Sequence, residues 1–209
     1  CLRIIVSNSP REPIDRYKLE KQGFEQFNKF TEKKSVIIHQ KDTGLAKALE
    51  GVDYPDLFDS EGKIRNGKGE GMFIGMLLSK MMGKKYVGFV DSDNYVPGAV
   101  NEYTKIFSSG IALSTTPYTM VRVSWIYKPK ISESAVRFSK LGRVSEMTNQ
   151  FLNLMISYYT GFETEVIRTG NSGEHCMSVQ LAELLTYSSG FSIEPYEIVN
   201  LLEQFGGIT

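Results

Sequence analysis

Tyr86-Val87-Gly88-Phe89-Val90-Asp91-Ser92-Asp93-Asn94 is an apolar run that ends in two carboxylates one residue apart. Its β-branched and aromatic residues, set between Gly83 and Pro97-Gly98, predict a buried strand. Ligands of open α/β sheets bind beyond the carboxyl ends of strands, which is where Asp91 and Asp93 stand. Hard oxygen ligands of this kind suit Mg²⁺ or Mn²⁺ held together with substrate phosphates. Turn formation and helix capping are the plainer uses of acids after a strand, and on these nine residues alone the two readings stand level. Two rivals fail on the letters. An aspartyl-nucleophile phosphatase wants Thr or Val where Tyr95 stands, and an EF-hand loop wants Asp or Asn at Tyr95 and Gly at Val96.

Just ahead lies Asn66-Gly67-Lys68-Gly69-Glu70-Gly71, followed by the apolar stretch Met72 to Leu78. Glycines around a lysine before a helix bring backbone N–H groups and one cation onto an anion. The order is not that of a Walker loop. Taken alone, a flexible turn is the simpler reading; next to the acidic strand, phosphate handling gains weight.

Further out, Leu2 to Val6 predicts a strand stopped by the turn cluster Ser7-Asn8-Ser9-Pro10. Tyr17, Phe24, Phe27 and Phe30 recur at near-helical spacing over 15–30, a crossover helix with its phenylalanines in the core. Val36 to His39 predicts the next strand and Thr43 to Leu49 a short helix, so the alternation points to a parallel sheet. His39 reads as a satisfied loop residue. Residues 53–65 read as a mobile loop.

Beyond the acids, a helix is expected over Pro97 to Phe107, strands over Ile111 to Thr115 and Tyr118 to Tyr127, and a polar, basic excursion over Pro129 to Lys140. Arg143 to Tyr159 carries Val144, Met147, Phe151, Leu154, Met155 and Tyr158 in a helical stripe, read as core. At its start Gly142, Arg143, Val144 and Ser145 place a glycine, a cation and a hydroxyl at a helix N-terminus, a pocket for phosphate or carboxylate. Arg168 to His175 is a polar, glycine-punctuated loop leading to a helix over Met177 to Leu185. A strand over Gly190 to Ile193 and a helix over Pro195 to Phe205 complete the chain.

In all, 209 residues with 41% hydrophobic and 23% charged side chains describe a globular domain, without repeats or composition breaks. Twenty-four basic and twenty-four acidic residues cancel, which weighs against nucleic-acid binding. No apolar run approaches the ~20 residues of a membrane span. Cys1 and Cys176 build no disulfide framework, so the cytoplasm is the default compartment. The chain opens at Cys1 directly into strand-like residues, which predicts a fragment or a trimmed chain.

With these pieces in order, the chain resembles the mannosyl-3-phosphoglycerate synthases, GT-A-fold glycosyltransferases. The resemblance rests on Val6-Ser7-Asn8-Ser9-Pro10-Arg11-Glu12, Gly67 to Met72, Phe89 to Tyr95 and Gly142-Arg143-Val144-Ser145-Glu146. It continues through Tyr159 to Glu165, Thr169-Gly170-Asn171-Ser172-Gly173-Glu174-His175 and Gly190 to Tyr196. It implies an α/β, Rossmann-like nucleotide-diphospho-sugar transferase sheet flanked by helices and lacking its first strand. It also implies a single domain over 1–209, with a nucleotide-sugar half to about residue 100 and an acceptor half after it.

The implied reaction moves mannose from GDP-mannose to the 2-hydroxyl of 3-phosphoglycerate with retention. Its product is the precursor of mannosylglycerate, a compatible solute. Carried onto this chain, Asp91 and Asp93 hold a divalent metal against the diphosphate, with Lys68 near the same phosphates. The catalytic set is then Asp91, Asp93 and Lys68. Ser7, Asn8, Ser9, Glu70 and Ser92 join them on the donor side. Gly142, Arg143, Val144 and Ser145 hold the acceptor, with Thr169 and Asn171 beside them, and Glu194 lines the sugar pocket. The family's metal-completing histidine is expected beyond residue 209. His175 is a candidate stand-in within the chain, but the sister synthases carry Tyr in that block, which favours a hydrogen-bonding or substrate-lining role. A glucosyl donor and a non-catalytic nucleotide- or phosphometabolite-binding fragment are the alternatives, and a homodimer is left open.

Overall fold

The computed structural model describes residues 1–52, 54–92, 98–125, 127–132, 135–140 and 143–206. The chain forms two units, Cys1–Met82 with Tyr187–Ile193, and Gly83–Thr186 with Glu194–Thr209.

In the first unit β1 (Arg3–Ser7) runs into α1 (Arg16–Thr31), and β2 (Ser35–His39) returns parallel to β1, in register from Arg3 opposite Ser35 to Ser7 opposite His39. This is the expected strand–helix–strand unit. Asp15 starts α1 by accepting from Lys18 N at 2.9 Å, and Asp42 does the same for α2 (Thr43–Leu49) through Leu45 N at 3.0 Å. After a 3-10 turn over Pro55–Leu57, α3 (Lys68–Met81) follows, with Gly67 as its extended N-cap. Leu45, Leu49, Leu57, Ile64 and Ile74 form a buried cluster under Val6 and Ile38. Each such side chain contributes ~1.5–3 kcal/mol.

Two expectations for this unit change. Phe27 and Phe30 are 44% and 92% exposed, and α1 buries none of its residues; its spacing marks a face without showing that the chain covers it. The segment read as mobile is anchored instead. Leu57 and Ile64 are wholly buried on either side of the Phe58–Ile64 bridge, and Asp59 bonds back to Lys63 N at 3.0 Å.

The second unit begins with β3 (Tyr86–Phe89) and continues through α4 (Ala99–Leu113), β4 (Met120–Arg122), the hairpin β5 (Tyr127–Ser132) and β6 (Ala135–Lys140), and α5 (Arg143–Thr160). β7 (His175–Ser178), the one-turn α6 (Val179–Ala182) and α7 (Ile193–Phe205) follow; α7 enters the second unit at Glu194. β7 lies between β3 and β4, antiparallel to both. The parallel pattern of the first unit does not carry over.

Ile111 belongs to α4, not to a strand, because Tyr103, Phe107 and Ile111 fall four residues apart on the face that meets Val121 and Val123. The expected helix over 177–185 is a buried strand followed by one turn. All four residues of β7 are buried, and a central strand covered on both faces shows no alternation to read. Within the polar excursion over 129–140, β5 and β6 pair antiparallel, and Gly190–Ser192 is a 3-10 turn in the first unit.

The α5 stripe is also corrected: Val144, Met147, Phe151, Leu154 and Tyr158 are 54–84% exposed. It is the polar side of α5 that is used. Asn149 Oδ1 accepts from Gly170 N at 2.8 Å, Asn153 bonds both the N–H and the C=O of Ile167, and Ser157 Oγ accepts from Thr164 N at 3.1 Å. Positions 149, 153 and 157 lie four apart, so one ladder straps the returning segment to the helix.

Candidate active site

In the first unit the loop after β1 is closed on itself. Ser7 Oγ donates to Glu20 Oε2 at 2.6 Å and Ser9 Oγ to the other oxygen of the same carboxylate. His39 Nδ1 accepts from Lys41 N at 3.1 Å, so its other nitrogen carries the proton and donates to Ser9 O at 3.0 Å. Asn8 is exposed.

The glycine-rich start of α3 is packed closely. Gln40, 2% exposed, donates to the carbonyls of Arg65 and Gly67 at 2.7 and 2.9 Å. Glu70, equally buried, accepts from Gly190 N at 3.3 Å. A Cβ on Gly69 would lie 2.8 Å from Ser188 O, and one on Gly67 2.1 Å from Glu70 Oε2. At Gly69 the obstacle is backbone, which only glycine avoids, whereas at Gly67 it is the end of the Glu70 side chain. Lys68 opens the helix, half-buried.

In the second unit Asp91 follows β3 as read from sequence. Its carboxylate is seated against Gly173, where a Cβ would meet Oδ2 at 2.2 Å and Oδ1 at 2.7 Å. Ser92 is exposed. Asp93 and Gly142 lie outside the described residues, as does the Arg143 side chain, although the Arg143 backbone begins α5. Val144 is 70% exposed.

Ser145, Thr169 and Asn171, read from separate parts of the sequence, come together in one small cleft with Val123, Trp125, Arg168 and Ser172. Asn171 Oδ1 is buried there without a hydrogen-bond partner. Ser172 Oγ lies 2.8 Å from Val123 O, which fixes the floor, and Trp125 Nε1 donates to the buried Glu174 at 3.1 Å.

Behind the cleft lies a buried charged cluster. Arg122 Nη1 bonds Glu197 Oε2 at 2.8 Å; their side chains are 8% and 0% exposed. Burial pushes the Arg122 guanidinium below the usual arginine range, against the pull of Glu197. His175 is wholly buried, with Nδ1 2.8 Å from Ser172 O and Nε2 3.3 Å from Glu197 Oε2. The imidazole stands within this buried cluster, with its Nε2 beside the Glu197 carboxylate and without a hydrogen-bond partner. Glu194, 3% exposed, lies one helical turn before Glu197.

Arg122, Trp125, Arg168, Gly173 and Glu197 carry this geometry without having been singled out from sequence. Arg122 had a signal: one cation inside the strand-like run Met120-Val121-Arg122-Val123 needs a buried partner. Glu197, three residues after Glu194, offered a weaker one.

The comparisons agree with the motif reading. The mannosyl-3-phosphoglycerate synthase family model matches residues 1–209. The chain is 54% identical over 206 residues to the mannosyl-3-phosphoglycerate synthase of Pyrococcus furiosus, covering 99% of this chain and 52% of that protein. It is 40% identical over 200 residues to the synthase of Aeropyrum pernix, covering 96% and 52%. The chain thus spans about half the length of the curated relatives it matches. Among solved structures, it matches glucosyl-3-phosphoglycerate synthase from Mycobacterium tuberculosis in complex with Mn²⁺, uridine-diphosphate-glucose and phosphoglyceric acid. That match has a TM-score of 0.60 at 15% identity, over 97% of this chain and 55% of the other. At that identity the likeness speaks to the fold, which is the GT-A fold expected from the motifs. By the family match over its whole length, the chain belongs to the mannosyl-3-phosphoglycerate synthase family.

Proposed function

We propose that this chain carries the acceptor cleft and the metal-binding acid of an enzyme that transfers mannose from GDP-mannose to the 2-hydroxyl of 3-phosphoglycerate. The observation behind this reading is the cleft over the 168–173 loop. It gathers Arg168, Ser145, Thr169 and Asn171, while Gly173 of the same loop seats the Asp91 carboxylate. A small dianion needs a cation and several neutral donors, and this set contains both. Asn171 Oδ1, buried and without a partner, is an acceptor for a substrate hydroxyl. Ser145 lies in the first turn of α5, and a helix N-terminus favours a phosphate or carboxylate.

A divalent cation fits the Asp91 position. A carboxylate at a strand end, in a seat that any Cβ would fill, presents hard oxygens, and the remaining ligands of such a cation are diphosphate oxygens and water. Among the described residues no group of three or more His, Cys, Asp or Glu converges as a complete ligand set. Asp91, with Asp93 as its partner in the motif, would hold the cation; Lys68, Ser7, Asn8 and Ser9 belong to the donor side of the same reading. When bound, the cation supplies Lewis-acid stabilisation of the leaving diphosphate. The Mn²⁺ in the mycobacterial structure supports a divalent ion, and Mg²⁺ and Mn²⁺ both suit oxygen ligands.

Retention without an enzymic nucleophile follows if the acceptor hydroxyl attacks on the face the diphosphate leaves and passes its proton to a leaving oxygen. Among the described residues no helix is long and apolar enough to cross a membrane, and a cytoplasmic reaction is part of the same proposal.

The test is release of GDP and formation of mannosyl-3-phosphoglycerate by the intact protein with GDP-mannose, 3-phosphoglycerate and Mg²⁺ or Mn²⁺. UDP-glucose serves as the competing donor, since the mycobacterial relative was solved with it. Faster turnover with UDP-glucose transfers the assignment to a glucosyl donor. Binding of GDP-mannose with no turnover leaves a binding module.

A further inference from the structure

We infer that Arg122 is the positioning residue of the cleft: its single buried guanidinium holds the backbone carbonyls of Thr169 and Gly170, in the loop whose Arg168, Thr169 and Asn171 line the cleft. The inference rests on the acceptor reading of that cleft. Arg122 Nε and Nη2 both donate to Thr169 O, at 3.1 and 2.9 Å, and Nη2 also lies 3.4 Å from Gly170 O. The same Nη2 reaches Glu194 O at 3.0 Å, and Nη1 bonds Glu197. One planar fork therefore ties the cleft loop to the start of α7 in the second unit.

The next tethers of the loop lie further along, where Ser172 Oγ donates to Val123 O at 2.8 Å and Val123 N donates to Glu174 O at 2.9 Å. Residues 168–174 form no helix or strand. Besides the bond to Arg122, Gly170 is tethered from its N–H to Asn149 Oδ1, and Ser172 N closes a local turn onto Thr169 O at 3.2 Å. The carbonyls of 169 and 170 are held from inside the unit, while Arg168, Thr169 and Asn171 line the cleft. A cationic fork fits this task because carbonyl oxygens and a carboxylate can all accept from it at once. Lysine keeps the charge opposite Glu197 and loses the fork, which separates positioning from charge pairing.

The experiment is calorimetry on the intact protein and its R122K and N149A variants, titrated with 3-phosphoglycerate and, separately, with GDP-mannose plus Mg²⁺. Both variants are expected to weaken 3-phosphoglycerate binding about 5–20-fold and GDP-mannose binding less than about twofold. Equal weakening of both ligands, or of neither, in folded R122K overturns the inference. If R122K does not fold, N149A, which cuts the other tether of Gly170, decides on the same split. A wild-type protein that binds no 3-phosphoglycerate overturns the acceptor reading instead. In that case amide exchange over 169–173 decides the role of Arg122. Acceleration of about tenfold or more in R122K, with His175–Ser178 unchanged, supports the clamp, and unchanged exchange overturns it.

Discussion

The loops of the two units use polar residues in opposite ways. After β1 and before α3, hydroxyls, an amide and a carboxylate are consumed internally: Ser7 and Ser9 by Glu20, Gln40 by two carbonyls, Glu70 by Gly190 N. In the 168–175 loop the backbone is held from behind by Arg122, while Asn171 Oδ1 is left without a partner in a cleft. Residues that look equally chemical in the sequence thus divide into clamps and contacts. An unmet buried acceptor is expensive to keep unless a ligand meets it, which is why the proposed acceptor site is placed on the second loop.

The strongest way to break this contrast is at Asp91. Asp91→Asn is expected to lower turnover about 10²–10³-fold, the scale of losing a charge-stabilising group, with a thermal midpoint near wild type. Gly173→Ala is the subtler form. Its Cβ would overlap the Asp91 carboxylate at 2.2 Å and push it aside. Since a displacement of about 1 Å can cost ~10²-fold in rate, turnover and metal affinity should both fall. A Gly173→Ala enzyme with normal metal affinity would show that the seat is incidental.

Next in size is Glu197→Ala, which strands the Arg122 guanidinium in the interior. Removing one partner of a buried pair costs about 3–5 kcal/mol, and chemical denaturation should report it as an earlier midpoint at unchanged slope. A loss under about 1 kcal/mol would mean that the carbonyls of Thr169, Gly170 and Glu194 satisfy the cation alone. In the first unit the comparable test is Gly69→Ala. The new methyl would meet backbone atoms at 2.8–3.0 Å rather than a movable side chain, for ~1–3 kcal/mol of strain.

Local pattern made the first unit readable. The strand–helix–strand alternation, the caps at Asp15 and Asp42 and the glycine-rich entry to α3 are all spelled within a few residues. β7 was missed because a strand buried on both faces has no period, and Ile111 was misread because β-branched residues at a helix end look like a strand. Apolar stripes were over-read: they say that a face is sticky, and in α5 and at Phe30 this chain leaves that face open. In the site, motif blocks pointed to Ser145, Thr169 and Asn171 one at a time. Arg122 and Glu197 were illegible as a pair because they meet 75 residues apart, and the bond to Thr169 spans 47. Such closures leave no mark in a window of sequence.

The smallest expected effect uses the two cysteines, one in each unit, as reporters of the same contrast. Cys1 is exposed, whereas Cys176 is buried at the centre of β7. Burial pushes the Cys176 thiol up to about 11 from 9.0, because a thiolate there would be desolvated. At pH 8 that difference alone leaves ~100-fold less thiolate than an unburied cysteine would have, before any steric protection. A thiol reagent should therefore label Cys1 quickly and Cys176 only as the second unit opens. The sign for stability follows from the same shift. The unfolded chain loses its thiol proton first as pH rises, so the folded state binds more protons between about pH 9 and pH 11. Stability from this group is full below pH 9 and declines across that window, and Cys176→Ala should flatten the decline. Equal labelling of the two thiols in the native protein would mean that β7 opens as readily as a chain terminus, and the buried cluster behind the cleft would then give Arg122 nothing rigid to pull against.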